Sequence, residues 1–273
     1  MTKTAYHMKV QNLSFGYEER LVLDALNFTI PKGKITTIMG ANGSGKSTLL
    51  RLLTKNFPVK QGQVWLEQEA LDKISLKAFA KKAAVVHQYH RVVDDLTVGE
   101  LVAMARLAHC SFLKALSKKD KERIAWALMV TGLSDYAYRD LQCLSGGEQQ
   151  RVWIAMALAQ ETDIIFLDEP TTYLDIKYQI DILRLITRIN QDLGITIVLV
   201  LHEINQALSL SDHLLALKDG RLYAQGHPRE LVGQTFIREV FDIDLPFVEK
   251  DGRNFVITSL VNETDVISNQ KET

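Results

Sequence analysis

Four short apolar runs stand out along the chain, and each stops at a polar residue or a glycine. They are "ITTIMG" (Ile35 to Gly40), "AAVVHQ" (Ala83 to Gln88), "DIIFLDE" (Asp163 to Glu169) and "ITIVLVLH" (Ile195 to His202). Unbroken β-branched runs of this length suit strands buried on both faces, hence a parallel sheet covered by helices. Ligands of such sheets bind beyond the carboxyl ends of the strands. Gln88, Asp168, Glu169 and His202 are therefore expected on one edge, together with the glycine loop after Met39. Helical patterns fill the gaps: Thr48 to Leu53 follows the first run, and "DIKYQIDILRLITRINQDLG" precedes the last, with Gly194 placed as its terminator.

The stretch from about Thr97 to Leu144 lacks a good strand. It carries two capping boxes, Thr97/Glu100 and Ser117/Asp120, and predicts a helical subdomain, spanning about 91–155, inserted between core strands. The lysines of "KKDK" read as a solvated helix face. "KVQNLSFGY", "LNFTI" and "GQVWL" predict an antiparallel β-layer beside the core. After Leu217, "DG" marks a hairpin turn, and "HPRELV" opens a helix with Pro228 at its first position. "PFVEKDGRNFVI" reads as a last hairpin and "NETDVISNQKET" as a loose tail. The expected organisation is one α/β domain over 1–240 and a short hairpin and tail over 241–273.

Composition narrows the setting. The 273 residues are 47% hydrophobic and 24% charged, with a formal charge of 32 − 33 = −1. That balance gives no electrostatic reason to expect a nucleic-acid partner. Two cysteines, Cys110 and Cys143, are too few for a disulfide framework and favour a reducing compartment. The N-terminal "MTKTAYHMKVQNLSF" lacks the apolar core of a signal peptide, and no apolar stretch is long enough to span a bilayer.

The strand-to-helix junction carries the first chemistry. "GANGSGKST", Gly40 to Thr48, fits the phosphate-binding pattern G-x-x-x-x-G-K-[ST]. A random chain of this length would match on the order of once in a hundred. Backbone N–H groups of Gly43, Ser44, Gly45, Lys46 and Ser47, with Asn42 at the loop tip, are placed to wrap phosphates at a helix N-terminus. Lys46 would reach the β- and γ-phosphates, and Ser47 would ligate Mg²⁺. Asp168 at its strand end can hold the Mg²⁺ shell. Glu169 is either a solvated loop-edge residue or the general base that polarises the attacking water. His202 can hydrogen-bond the γ-phosphate or hold Glu169 and water in line. Gln88 can touch Mg²⁺ or the water and act as a hinge to the helical insert. Tyr17 either stacks on adenine or fills space.

"LSGGEQQR" raises a separate question, because each glycine costs a helix about 0.5–1 kcal/mol relative to alanine. Ser145 and Glu148 form a capping box, which does not itself ask for glycine. Gly146 and Gly147 offer bare N–H groups at a helix N-terminus, a second phosphate site beside Ser145. Since the P-loop already surrounds one nucleotide, two chains pairing head to tail would place each such site over the partner's ATP.

Taken together these segments resemble the ATP-binding cassette (ABC) ATPases over nearly the whole chain. Tyr17 is similar to the A-loop, Gly40 to Thr48 to Walker A and Gln88 to the Q-loop. Leu144 to Gln149 are similar to the signature motif, Ile164 to Glu169 to Walker B, Tyr173 to Asp175 to the D-loop and His202 to the switch histidine. The resemblance implies ATP and Mg²⁺ as ligands, with Asp175 near the nucleotide. "EPTTYLDIKYQIDIL", "LTVGELVAMARLAH" and "WIAMALAQ" resemble the ATPase subunits of bacterial iron(III)-siderophore importers, close to those for haem and cobalamin. That implies a homodimer on the cytoplasmic face of the membrane, two permease subunits and an external binding protein.

Overall fold

The computed structural model describes residues 6–88, 95–109, 115–250 and 253–258. The chain opens with strands β1 (Tyr6–Tyr17) and β2 (Arg20–Pro31), followed by β3 (Ile35–Met39), helix α1 (Lys46–Leu53), β4 (Gln61–Leu66) and β5 (Glu69–Ala70). A short α2 (Leu76–Phe79) leads to β6 (Ala83–Val86), and helices α3 (Val98–Met104), α4 (Lys118–Val130) and α5 (Gly146–Ala159) precede β7 (Ile164–Asp168). Then come α6 (Ile176–Leu193), β8 (Thr196–Val200), α7 (Ile204–Leu210), β9 (His213–Lys218) and β10 (Arg221–Gly226). The last described elements are α8 (Pro228–Leu231), α9 (Gln234–Phe241) and the hairpin β11 (Phe247–Lys250) and β12 (Arg253–Val256).

The apolar runs are core strands because both their faces are covered. The six-stranded sheet has the order β10-β9-β3-β8-β7-β6, parallel throughout except for β10 at one edge. Within each strand alternate residues enter two different cores. Ile165 and Leu167 of β7, with Ile197 and Leu199 of β8, pack on the helical side. Ile164 and Phe166, with Val198 and Val200, pack with α1 and the second sheet. That second sheet is antiparallel, ordered β2-β1-β4-β5. The fifth parallel strand, β9, is absent from the four runs singled out above, because "LLAL" is short and holds no β-branched residue. Helices α7 and α9 likewise escaped the pattern.

Register then sets the edge. Ile38 pairs with Val200, and Val200 with Asp168, while Val86 pairs with Leu167. The four carboxyl ends thus stop nearly level, and the next one or two residues of each strand meet above the sheet.

The elements described between β6 and β7 are helices, and both expected capping boxes are present at α3 and α4. Asp120 does more than cap. Its carboxylate also accepts from buried Arg106 Nε at 2.8 Å, and Arg106 donates to the Ala159 carbonyl at the end of α5 at 2.7 Å. The Ser117 hydroxyl and then Arg106 hold the Asp120 carboxyl down at about 2. Cys143 is an exposed free thiol; Cys110 and the tail from Asn262 lie outside the described residues.

The two sheets are stitched at His7 of β1. Its Nδ1 pairs with the Thr196 hydroxyl of β8 at 2.7 Å, and the same hydroxyl accepts the Gly33 N–H at 2.8 Å. Burial, with the Lys32 ammonium adding to it, pushes the His7 imidazole down from 6.5 to about 4. The unfolded chain therefore binds the extra proton between these values, so the contribution is complete above pH 6.5 and is lost as pH falls towards 4. Stability should drop by about 2 kcal/mol from this group between neutral pH and about pH 5. His7→Gln keeps a polar partner for Thr196 and should flatten that slope in urea titrations at the two pH values. An unchanged slope would show that the imidazole is not the group responsible.

Candidate active site

The loop after β3 folds tightly over the sheet. Gly40 has φ +151°, and a Cβ there would lie 2.1 Å from the Leu217 carbonyl oxygen, so the backbone comes too close for any side chain. Asn42 and Gly43 form the exposed tip, where a Cβ on Gly43 would meet nothing within 4 Å. Gly45 caps α1, and Lys46 is its first residue. Lys46 Nζ donates to the carbonyls of Gly40 and Ala41, both at 2.9 Å, folding the ammonium back along the loop. Burial pushes this ammonium below the ordinary lysine value, and Glu169 opposes the shift. Ser44 Oγ is buried without a hydrogen-bond partner, while Ser47 is exposed in the first turn.

Tyr17, at the end of β1, stands beside this loop. Its hydroxyl is 3.4 Å from Thr48 Oγ1, and its ring meets Phe15 and Phe57 edge-on at 5.2 and 5.8 Å. Phe15 and Phe57 stack on each other at 5.3 Å. Tyr17 is still 43% exposed, so the aromatic cluster holds the residue in place without burying it.

At the neighbouring strand ends the carboxylates divide. Glu169 follows β7 with φ +49°, an unusual conformation for a residue with a side chain. Its Oε2 accepts from Gln88 Nε2 at 2.5 Å and from Thr172 Oγ1 at 3.1 Å, and its Oε1 pairs with His202 Nε2 at 2.5 Å. The general-base candidate is thus held from both adjacent strands, β6 and β8. Thr172 was not among the residues singled out from sequence; it sits in the turn after "DEP" with no motif to mark it.

Asp168 has a different environment. Burial, and next the Glu169 charge beside it, push its carboxyl up, and its Oδ1 is buried with no hydrogen-bond partner. A desolvated carboxylate oxygen without a donor fits a hard cation such as Mg²⁺, and Ser47 offers a hydroxyl on the P-loop side. Among the described residues no cluster of three His, Cys, Asp or Glu could hold a metal alone. Mg²⁺ bound here would complete its shell with phosphate oxygens and water, as this ion usually does. Gln88 could contribute its amide oxygen, since its nitrogen is engaged with Glu169.

The two signature glycines turn out not to be equivalent. The capping box of Ser145 and Glu148 starts α5. Gly147 is buried, and a Cβ on it would lie 2.3–2.9 Å from Tyr178 Cδ1, Cγ and Cβ. It is glycine because α6 packs directly on its backbone, a reason internal to one chain. Gly146 is exposed, and its nearest neighbour would be Leu174 Cδ2 at 3.6 Å, an ordinary contact. Tyr178 also brings its hydroxyl to 3.5 Å from Ser145 Oγ. Asp175 is the N-cap of α6, accepting the Tyr178 N–H at 3.0 Å. Ser145, Gly146 and Gly147 thus lie against Glu148, Leu174 and Tyr178 of the same chain.

A glycine loop of this form, feeding a helix N-terminus and a lysine, places the molecule among the P-loop nucleoside triphosphatases. A family model described as ABC transporter matches residues 23–172, and the chain belongs to this family: it is an ATP-binding cassette and an ATPase. It is 41% identical over 265 residues to the iron(3+)-hydroxamate import ATP-binding protein FhuC of Bacillus subtilis, covering 97% of both chains. It is 40% identical to the ferric enterobactin transport ATP-binding protein FepC of Escherichia coli, over 89% of this chain and 90% of that one. Among solved structures, a transporter described as metal-chelate type, in an inward-facing conformation, matches with TM-score 0.82 at 27% identity, covering 96% of this chain and 99% of that one. The dimeric bacterial cassette MJ0796 matches with TM-score 0.69 at 30% identity, covering 81% and 98%.

The unequal glycines make a direct prediction. Gly147→Ala should destabilise the protein by about 1–3 kcal/mol, because the near end of Tyr178 cannot move aside as a flexible tip could. Gly146→Ala should stay within about 0.5 kcal/mol of the parent, as for other unhindered surface changes. Thermal unfolding of the two variants side by side checks this, and equal losses would mean that Tyr178 does not press on Gly147.

Proposed function

We propose that this chain is the ATP-hydrolysing subunit of a bacterial importer for iron(III)-siderophores. The observation that carries the chemistry is the Glu169 carboxylate, held between Gln88 and His202 one residue beyond the unpartnered oxygen of Asp168. In this reading Lys46 and the amides of Gly43 to Ser47 bind the β- and γ-phosphates. Ser47, Asp168 and Gln88 hold Mg²⁺, which neutralises phosphate charge when bound. Glu169 takes a proton from water as the water oxygen bonds to the γ-phosphorus, and the bridging oxygen leaves with ADP. His202 keeps that carboxylate in line and reaches the γ-phosphate. Tyr17 offers its ring to adenine.

Two copies would close head to tail, Ser145 and Gly146 of each meeting the partner's ATP. Support comes from the face around these residues: Tyr173 is 80% and Ile176 75% exposed, next to Leu174 and the exposed Gly146. Such apolar exposure beside a helix N-terminus suits a surface that is covered during the cycle. The helical segment exposes Met104, Leu107 and Tyr138, which suits a membrane-permease contact. Among the described residues no helix is long and apolar enough to cross a membrane. The similarity to importer ATP-binding subunits supports a place at the cytoplasmic face, with an external binding protein selecting the cargo. The cargo class rests on the ferric-chelate relatives matched along nearly their whole length.

Glu169→Gln should bind ATP and form an ATP-dependent dimer in size-exclusion chromatography, while turnover falls by about 10²-fold or more. Lys46→Ala should instead lose nucleotide binding. Near-parental hydrolysis by Glu169→Gln would remove this residue as the base. For the cargo, a strain without this subunit should stop growing when iron is offered only as ferric siderophores and recover with excess ferrous iron. Growth on every siderophore with loss of haem or cobalamin uptake would reassign the substrate.

A further inference from the structure

Behind the catalytic edge three polar side chains form a hydrogen-bonded row across three segments. Gln179 Nε2 of α6 donates to the Leu174 carbonyl at 2.9 Å. Gln206 Nε2 of α7 donates to Gln179 Oε1 at 3.0 Å, and Thr171 Oγ1 donates to Gln206 Oε1 at 3.0 Å. The row has one possible direction. A carbonyl only accepts, so Gln179 must turn its amide nitrogen to Leu174 and its oxygen to Gln206. Gln206 must then present its nitrogen to Gln179 and its oxygen to Thr171. No member can be replaced by a pure acceptor without leaving two oxygens face to face.

What the row joins is the working part of the site. Thr171 is buried in the turn that begins at Glu169, Leu174 sits against Gly146, and α7 starts two residues after His202. The turn holds Glu169 at φ +49° and Tyr173 at φ +64°. Backbone of that kind persists only where its surroundings over-determine it. Helix α7 is itself fastened by the neighbouring residue: Asn205 Nδ2 donates to the Val256 carbonyl at 2.8 Å and Asn205 Oδ1 accepts the Val256 N–H at 2.9 Å.

We propose that Gln179 and Gln206 are positioning residues, a directional amide relay that locks the Glu169 turn, the His202 helix and the Leu174 segment beside Gly146 into one geometry. The relay couples the carboxylate that works on a chain's own ATP to the segment next to the signature glycines. This rests on the reading of Glu169 and His202 as the groups at the reacting phosphate.

The test uses the full-length protein with Mg²⁺ and ATP, comparing Gln206→Met, Gln179→Met, the double variant and Gln206→Glu. Each methionine variant should lower kcat about tenfold while KM for ATP stays within about twofold, since orientation and not binding is lost. The double variant should lose no more than either single one, because one broken link opens the whole row. Gln206→Glu supplies a readout that general loosening would not move. Its carboxylate has no proton for Gln179 Oε1, but the protonated acid does, and facing that oxygen pushes the acid above the usual Glu value, so its kcat relative to the parent should rise as pH is lowered from about 8 to about 5. The Gln206→Met ratio should remain flat over the same range. Unchanged kcat in both methionine variants, losses that multiply in the double variant, or a flat Gln206→Glu profile would each overturn the relay. Glu169→Gln in the same assay separates the two ideas: if it still hydrolyses ATP, the reading of the site fails, and not the relay.

Discussion

A parallel sheet buried on both faces leaves only its strand ends for chemistry, and this constraint organises the molecule. Because β3, β6, β7 and β8 face the helices with one set of side chains and the antiparallel layer with the other, a charged residue inside them would be costly. Charged groups are therefore pushed to the ends, where the register brings Gly40, Gln88, Glu169 and His202 level. The separate fates of two adjacent carboxylates follow from the same edge. Asp168 still belongs to the strand and is half desolvated without a donor; Glu169, one residue on, turns into the left-handed region and collects three hydrogen bonds.

Much of this was legible in the sequence. The four β-branched runs correspond to β3, β6, β7 and β8, and all three capping boxes start helices. Period and cap are local signals, written in neighbouring residues. What was not legible depends on partners far apart in the chain. Asp120 reads as a cap, and nothing nearby announces that Arg106 reaches it together with the end of α5. Gly147 reads as a bare amide for phosphate; only the packing of α6 shows Tyr178 on top of it. Thr171, Gln179 and Gln206 are ordinary polar residues until the fold lines them up. The strand β9 escaped for a local reason, its lack of β-branched residues.

The pairing of Gly147 with Tyr178 also shows that one motif can serve two masters. The first glycine stays exposed where another molecule could approach, and the second lets two helices of the same chain touch. A motif read as one unit of ligand chemistry has, at its second glycine, a packing reason of its own.

Helix α5 carries a mechanical consequence. Its fourteen residues run from the signature glycines to Ala159, a rod of about 21 Å at 1.5 Å per residue. The far end is gripped by Arg106, itself buried and anchored to Asp120, and the next residue, Leu107, lies 69% exposed on the surface. Arg106 thereby ties the end of α5 opposite the signature glycines to the segment that exposes Leu107, so both belong to one hydrogen-bonded framework.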